Sequence, residues 1–293
     1  MNGNRKAPNH VYPSIMPNAL RLFALAPLLT IPLLAAPMLA AQTTNAVQLN
    51  SNAPLMPADA DPSFEVATIK GPSSPGFALI NIQGQHYSAH NVSLEDLIKF
   101  AYSLHGDQVI NLPKFGDQNR YDISAVMQPE GRPTGDQIRT MIRKLLAERW
   151  KLATHTEQRV LSVYVLTAPH GAEKLKPSKL DAAADTERPA PGGMEFAFRG
   201  ATPNMYVNYL QQALLDRPVV DKTGLTGRFD FDVIFMPDDS MFGGRFKPSP
   251  DMVEKAAPNF FTALTESTGL KLTPEKTSVD VLVIDHVEPP TAN

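Results

Sequence analysis

Cysteine is absent from the 293 residues. Disulfides, a thiolate nucleophile, Cys-ligated zinc and lipoprotein acylation are therefore excluded. No run of Lys or Arg exceeds two residues, and 27 basic against 30 acidic side chains leave a net charge of -3. Nucleic-acid binders usually concentrate positive charge, so no nucleic-acid partner is expected. The sequence has no HExxH motif and no Gly-x-Ser-x-Gly nucleophile elbow. No metal and no cofactor is expected. Hydrophobic residues make up 43% and charged residues 19%, a globular composition. The length suits two domains of ordinary size.

The N-terminus carries a targeting pattern. Arg5, Lys6 and Arg21 precede an apolar run over residues 22–39, and Leu39-Ala40-Ala41 before Gln42 reads as a cleavage site. This is the layout of a secretory signal peptide over residues 1–41. A retained anchor is the alternative, but Pro27, Pro32 and Pro37 each remove a helix hydrogen bond. After cleavage no membrane span remains, and the chain is expected to be periplasmic or secreted. Residues 42–62 read as a flexible lead-in.

Beyond residue 62 the pattern predicts α+β structure written twice. Residues 64–70 alternate as a strand, and 77–87 form another with Gly84 at a bulge or bend. Ser93 caps a helix, with Asp96 at the capping-box distance. Residues 108–112 and 120–126 read as strands around a turn at 113–119. A helix over 134–149 carries Ile138, Met141, Ile142, Leu145 and Leu146 on one face. Strands at 151–156 and 161–168 close repeat 1, residues 63–168. Residues 169–192, rich in Pro and charge, read as a linker or long loop.

The order then returns over residues 193–293. A strand at 194–199 leads to Thr202-Pro203, a cap with the preferred first-turn proline. Val219-Val220 is a short strand, and Arg228-Phe229-Asp230-Phe231 answers Arg120-Tyr121-Asp122-Ile123. A polar insertion at 237–258 precedes a helix around 259–268, with Gly269 at its C-cap. Leu270-Lys271-Leu272 answers Trp150-Lys151-Leu152, and Val279, Val281 and Val283 alternate inward. Each unit is strand–helix–strand–strand–helix–strand–strand, with helices packed on small mixed or antiparallel sheets.

Six side chains are the candidate binding residues: Arg120, Asp122, Asp221, Lys222, Arg228 and Asp230. Arg120/Asp122 and Arg228/Asp230 are spaced by two, so each pair projects on one face of a strand. They suit a carboxylate or sugar, or an ion pair that braces the sheet. Asp221-Lys222-Thr223-Gly224 matches the core of a P-type ATPase phosphorylation loop. Leu225 follows where those enzymes have threonine, and the two glycines suit a tight turn, which is the favoured reading. His86 and His90 are four apart on strand rather than helix, which leaves at most a weak surface metal site. Asp285-His286 has no activated serine to serve, so a structural histidine is preferred. Tyr206, Tyr209, Phe260 and Phe261 fall at core spacing. No residue is assigned a catalytic role.

Several stretches occur together in a telling order: Phe64-Glu65-Val66-Ala67, Asn91-Val92-Ser93-Leu94 with Ala101-Tyr102, and Leu145-Leu146-Ala147-Glu148-Arg149 with His155. Arg217-Pro218-Val219-Val220-Asp221-Lys222-Thr223-Gly224-Leu225-Thr226-Gly227 and the tail from Val283 to Pro290 complete the set. Over about residues 62–293 the chain resembles the soil-associated exported proteins found in many copies in Acidobacteria, the domain of unknown function 3738. The resemblance implies secretion and, in some relatives, fusion to a membrane metallopeptidase. It supplies no catalytic residues. The expected function is a non-enzymatic binding or interaction module of the envelope or extracellular space, with an unknown protein or polymer as partner. One alternative is a secreted hydrolase of an extracellular polymer, using Asp122, Asp221, Asp230 or His286 and two convergent carboxylates. The other is a sensor domain that partners a membrane metallopeptidase.

Overall fold

The computed structural model describes residues 54–71, 78–180, 183–244, 248 and 250–290. The expected signal peptide over 1–41, with its expected cleavage site, and residues 42–53 lie outside the described residues. Among the described residues, no helix is long and apolar enough to cross a membrane.

Helices and sheets are mixed, as α+β predicts. The chain opens with β1 (Ser63–Lys70) and the hairpin β2 (Leu79–Gln83) and β3 (His86–Val92). Gly84, with φ +58°, folds this hairpin, so the single strand expected at 77–87, with a bulge or bend at Gly84, is two strands. Helix α1 (Leu94–Tyr102) follows, and the Ser93–Asp96 capping box forms as predicted. A 3-10 turn (Gly106–Gln108) leads to β4 (Val109–Ile110), which is only two residues long. The expected turn at 113–119 contains helix α2 (Lys114–Gln118). Then come β5 (Tyr121–Gln128), helix α3 (Gly135–Arg149) capped by Thr134, and β6 (Ala153–Thr167).

The segment expected to be a linker, 169–192, holds two paired strands, β7 (Lys176–Pro177) and β8 (Ala184–Ala190). Next are β9 (Gly193–Ala201), helix α4 (Pro203–Tyr209), a π-helical turn (Leu210–Leu214), β10 (Val219–Asp221) and β11 (Phe229–Phe235). The polar insertion carries a 3-10 turn (Met241–Gly244) and helix α5 (Pro250–Glu254). Helix α6 (Phe260–Thr268) ends on Gly269 in the left-handed conformation, as expected, and β12 (Lys271–His286) closes the fold.

The described residues form three four-stranded sheets. The first has order β1-β5-β3-β2, the third β7-β11-β9-β8, and both are antiparallel throughout. The second has order β10-β6-β12-β4. Its centre is the long antiparallel pair β6–β12, running from Lys271↔Thr167 to His286↔Ala153. The expectation of two strands in place of each is corrected here. Pro274 is tolerated within β12 because β4 reaches β12 only at Leu282 and Val283, which leaves an open edge beside the proline.

The central sheet interlocks two cores. One packs α1 and α3 on the first sheet, around Tyr87, Leu97, Ile98, Met141 and Trp150. Leu282 and Ile284 of β12 belong to that core although they lie far along the chain. The other gathers Phe196, Phe198, Tyr206, Phe231, Phe235 and Phe260, and takes in Leu166 of β6. Strands β4 and β10 cross reciprocally: β4 pairs in parallel with β12, and β10 in parallel with β6.

Residues 54–62, the later part of the expected lead-in, are docked rather than loose. Arg132 N donates to Pro54 O at 2.8 Å and Met56 N to Arg132 O at 2.9 Å. Met56 is buried, and Gln137 Nε2 donates to Pro57 O at 2.7 Å.

Candidate functional site

The six predicted residues do not converge. Asp122 Oδ1 accepts the backbone N–H of Asn91 at 2.9 Å, and Asp230 Oδ1 that of Gly200 at 2.8 Å. Both acceptor sites are equivalent bulges. Pairing slips between Ala89 and Val92 opposite β5, and between Phe198 and Ala201 opposite β11. Asn91 and Gly200 take positive φ values of 55° and 64° there. Each aspartate thus pins a bulge two residues before a helix cap, Ser93 or Thr202. The arginines point to other partners. Arg120 Nη1 meets buried Asp96 at 2.9 Å, and Arg228 Nη1 donates to Gly200 O at 2.7 Å. In these contacts all four side chains hold a backbone group or a charged partner.

Asp122→Ala is expected to cost about 1–2 kcal/mol by leaving an amide of the bulge without its acceptor, as read by urea unfolding. Asp230 gives a pH test. Hydrogen bonds from the Ser178 side chain and the Gly200 amide hold its carboxyl below the ordinary 3.8. Its contribution to stability is complete above that ordinary value and is lost as pH falls through the lower folded-state value. Melting temperatures measured between about pH 2 and pH 6 should fall less steeply on the acid side in Asp230→Asn.

Asp221 and Lys222 build a turn. Asp221 Oδ1 accepts Thr223 N at 2.8 Å, and Thr223 Oγ1 accepts Leu225 N at 3.1 Å. Lys222 N donates to Leu166 O at 2.8 Å, one residue past the β10–β6 pairing. These are consecutive side-chain-closed turns.

The histidines also find local partners. Asp285 bonds to His155 Nδ1 at 2.7 Å rather than to His286, and His286 Nε2 meets Glu288 at 2.9 Å. The bond to Asp285, then that to Glu157, raises the His155 pKa above its ordinary 6.5. His86 and His90 are exposed on one face of β3, His90 3.7 Å from Asp122. Among the described residues, no three His, Asp or Glu side chains are grouped to hold a metal.

The place where separate elements do converge is the seam between the two cores. Gln211, 4% exposed in the π-helical turn, donates from Nε2 to Ser103 O at the left-handed cap of α1, at 2.8 Å. Its Oε1 accepts Val219 N at 3.1 Å, where β10 begins. Gln212 Nε2 donates to Lys99 O at 3.0 Å. Such π turns often mark functional positions.

The continuations of these two segments wall a cleft of about 550 Å³, lined by Asp107, Leu161, Ser162, Asp216 and Arg217. Asp107 comes from the 3-10 turn after α1, and Asp216 and Arg217 from the loop before β10. Ser162 and Leu161 are in the middle of β6. Arg217 is fixed on two sides. Its Nε and Nη2 donate to Asp216 at 3.0 and 2.8 Å, and its guanidinium lies 4.7 Å from the centre of the Tyr164 ring. The bond from Arg217 holds the Asp216 carboxyl below its ordinary range. Burial, then the Asp216 charge, raises the Tyr164 phenol. The cleft therefore offers a rigid guanidinium–carboxylate pair, a second carboxylate across the gap, and a serine hydroxyl. Only Arg217 lies in a stretch that the sequence brings forward. Asp107, Ser162 and Asp216 carry no local signal, because the cleft exists only once β6 joins the two cores.

A family model described as "Protein of unknown function (DUF3738)" matches residues 95–287, from within α1 to just past β12. Neither the curated proteins nor the solved structures yield a match.

Proposed function

The chain belongs to the DUF3738 family, and from its own geometry we propose a non-enzymatic binding module that takes its ligand in the cleft between the two cores. We further read it as one of the soil-associated exported proteins of Acidobacteria, acting in the cell envelope or outside the cell after loss of residues 1–41. The fold is taken to be two α+β repeats. Supporting this, the first and third sheets have the same strand order position by position, and Asp122 and Asp230 pin equivalent bulges.

The observation that carries the binding reading is the cleft itself, with Arg217 fixed in advance by Asp216 and Tyr164. A side chain already ordered loses little entropy when a ligand arrives. The volume falls within the range of small-ligand sites, and the cleft is open to solvent with a mainly polar lining. The hydrolase alternative gains no support from its named residues. Asp122 and Asp230 hold backbone amides, Asp221 closes a turn, and His286 faces Glu288.

Ser162→Trp fills the cleft from its floor and tests the reading. Envelope polymers and peptides titrated against the mature chain should show saturable binding, with no product by mass spectrometry. The substitution should weaken that binding at least tenfold and leave thermal unfolding within about 0.5 kcal/mol, as expected of an exposed position. Turnover of any of these polymers, abolished by one point substitution, would reject the proposal.

A further inference from the structure

Among the described residues, every end strand of the three sheets but one carries a device against pairing with another chain. Proteins guard such edges with charge, proline, bulges or short strands. Strand β1 has a bulge near Glu65, and Arg149 Nη1 donates to its Ala67 carbonyl at 3.0 Å. Strand β8 carries Asp185, Glu187, Arg188 and Pro189. Strands β4, β7 and β10 are three residues long or shorter.

Strand β2, Leu79-Ile80-Asn81-Ile82-Gln83, has no charge, no proline and no bulge. Among the described residues it pairs with β3 alone. The turn Gly84-Gln85 makes Gln83↔His86 a hydrogen-bonded pair, so Asn81 and Leu79 also bond toward β3. The N–H and C=O groups of Ile80 and Ile82 therefore face outward. Their side chains pack against the first core, while Leu79 is 41% exposed on the other face.

We propose that β2 is a strand-addition site for an extended segment of a partner protein. The segment's chemistry follows from the edge. Apolar residues at alternate positions would continue the row of Ile80 and Ile82, uncharged residues would face Leu79 and Asn81, and proline would be excluded. A second copy of this chain fits less well. Two five-residue strands bury far less than the roughly 1,200 Å² of a stable interface.

The test uses a displayed library of random dodecapeptides against the mature chain. Enriched peptides should alternate apolar residues and lack proline. A bound peptide should slow amide exchange at Ile80 and Ile82 at least tenfold. Asn81→Lys, which adds an edge charge, should weaken binding at least tenfold. Leu79→Lys, outside the core, should do the same and guards against a folding defect in the first variant. Ser162→Trp, in the cleft, should leave binding of these peptides at β2 unchanged, which separates the two sites. Peptides that bind without slowing Ile80 and Ile82, no enrichment at all, or dimers that Asn81→Lys dissolves would each overturn the proposal.

Discussion

A chain ended after Leu270 is expected to lose the fold of its first core as well as its second. The deletion removes only β12 and the tail, yet Leu282 and Ile284 sit in the first core at 6% exposure each. Gln108 Nε2 also loses its acceptor, Asp280 O at 2.9 Å, and Trp150 O loses the Glu288 amide at 2.8 Å. Strand β6 loses its whole antiparallel partner, and β4 the strand it pairs with among the described residues. Burial of one large aliphatic side chain is worth about 1.5–3 kcal/mol, and whole domains keep only about 5–15 kcal/mol in hand. Trp150, the single tryptophan, reports the outcome because it is wholly buried in the first core, edge-on to Tyr121. Its emission should be that of a solvated indole, with no cooperative transition in urea. The milder Ile284→Ala should cost about 2–5 kcal/mol and should shift the Trp150 transition and the far-ultraviolet transition together. Native Trp150 emission in the shortened chain would mean that the first core stands without β12.

Gly193→Ala should be severely damaging, for the addition of a single methyl group. A Cβ there would lie 2.0 Å from Phe235 O and 2.7 Å from Phe235 C. Both neighbours are backbone, so no side chain can rotate away. The β9 and β11 strands would have to part where Met194 pairs with Phe235. Phe235 is fully buried and touches Phe196 and Phe260 at ring separations of 4.9 and 4.8 Å. The expected cost is about 3 kcal/mol or more, measured as the midpoint of urea unfolding. Gly224→Ala is the control. Gly224 has φ +65° but nothing within 4 Å of an added Cβ, so only the left-handed penalty of about 1–2 kcal/mol applies. Equal costs for the two would deny that close strand approach governs Gly193.

Local chemistry was legible in the sequence. Ser93 with Asp96, Thr202 before Pro203 and Gly269 after α6 all act as caps, because capping depends on a few neighbouring atoms. What hid was set by distant partners. Gln158-Arg159 and Lys276-Thr277-Ser278 read as breaks, yet they run through the middle of β6 and β12. Polar residues suffice there because neither core packs on that stretch. Strand β8 read as linker because an edge strand can carry charge and proline in solvent. The cleft hid for the same reason as the ribbon. Asp107, Ser162 and Asp216 come together only through the crossed strands β4 and β10. Asp122 and Asp230 were visible as a repeated motif, and each pins one of two equivalent bulges.

The claim that the cleft binds a partner without transforming it is tested most directly by nuclear magnetic resonance of the isotope-labelled protein. A titrated ligand should shift the amides of Asp107, Ser162, Asp216 and Arg217 along one saturating curve, and be recovered chemically intact. Shifts confined to other surfaces, or a ligand recovered as cleavage products, would contradict it.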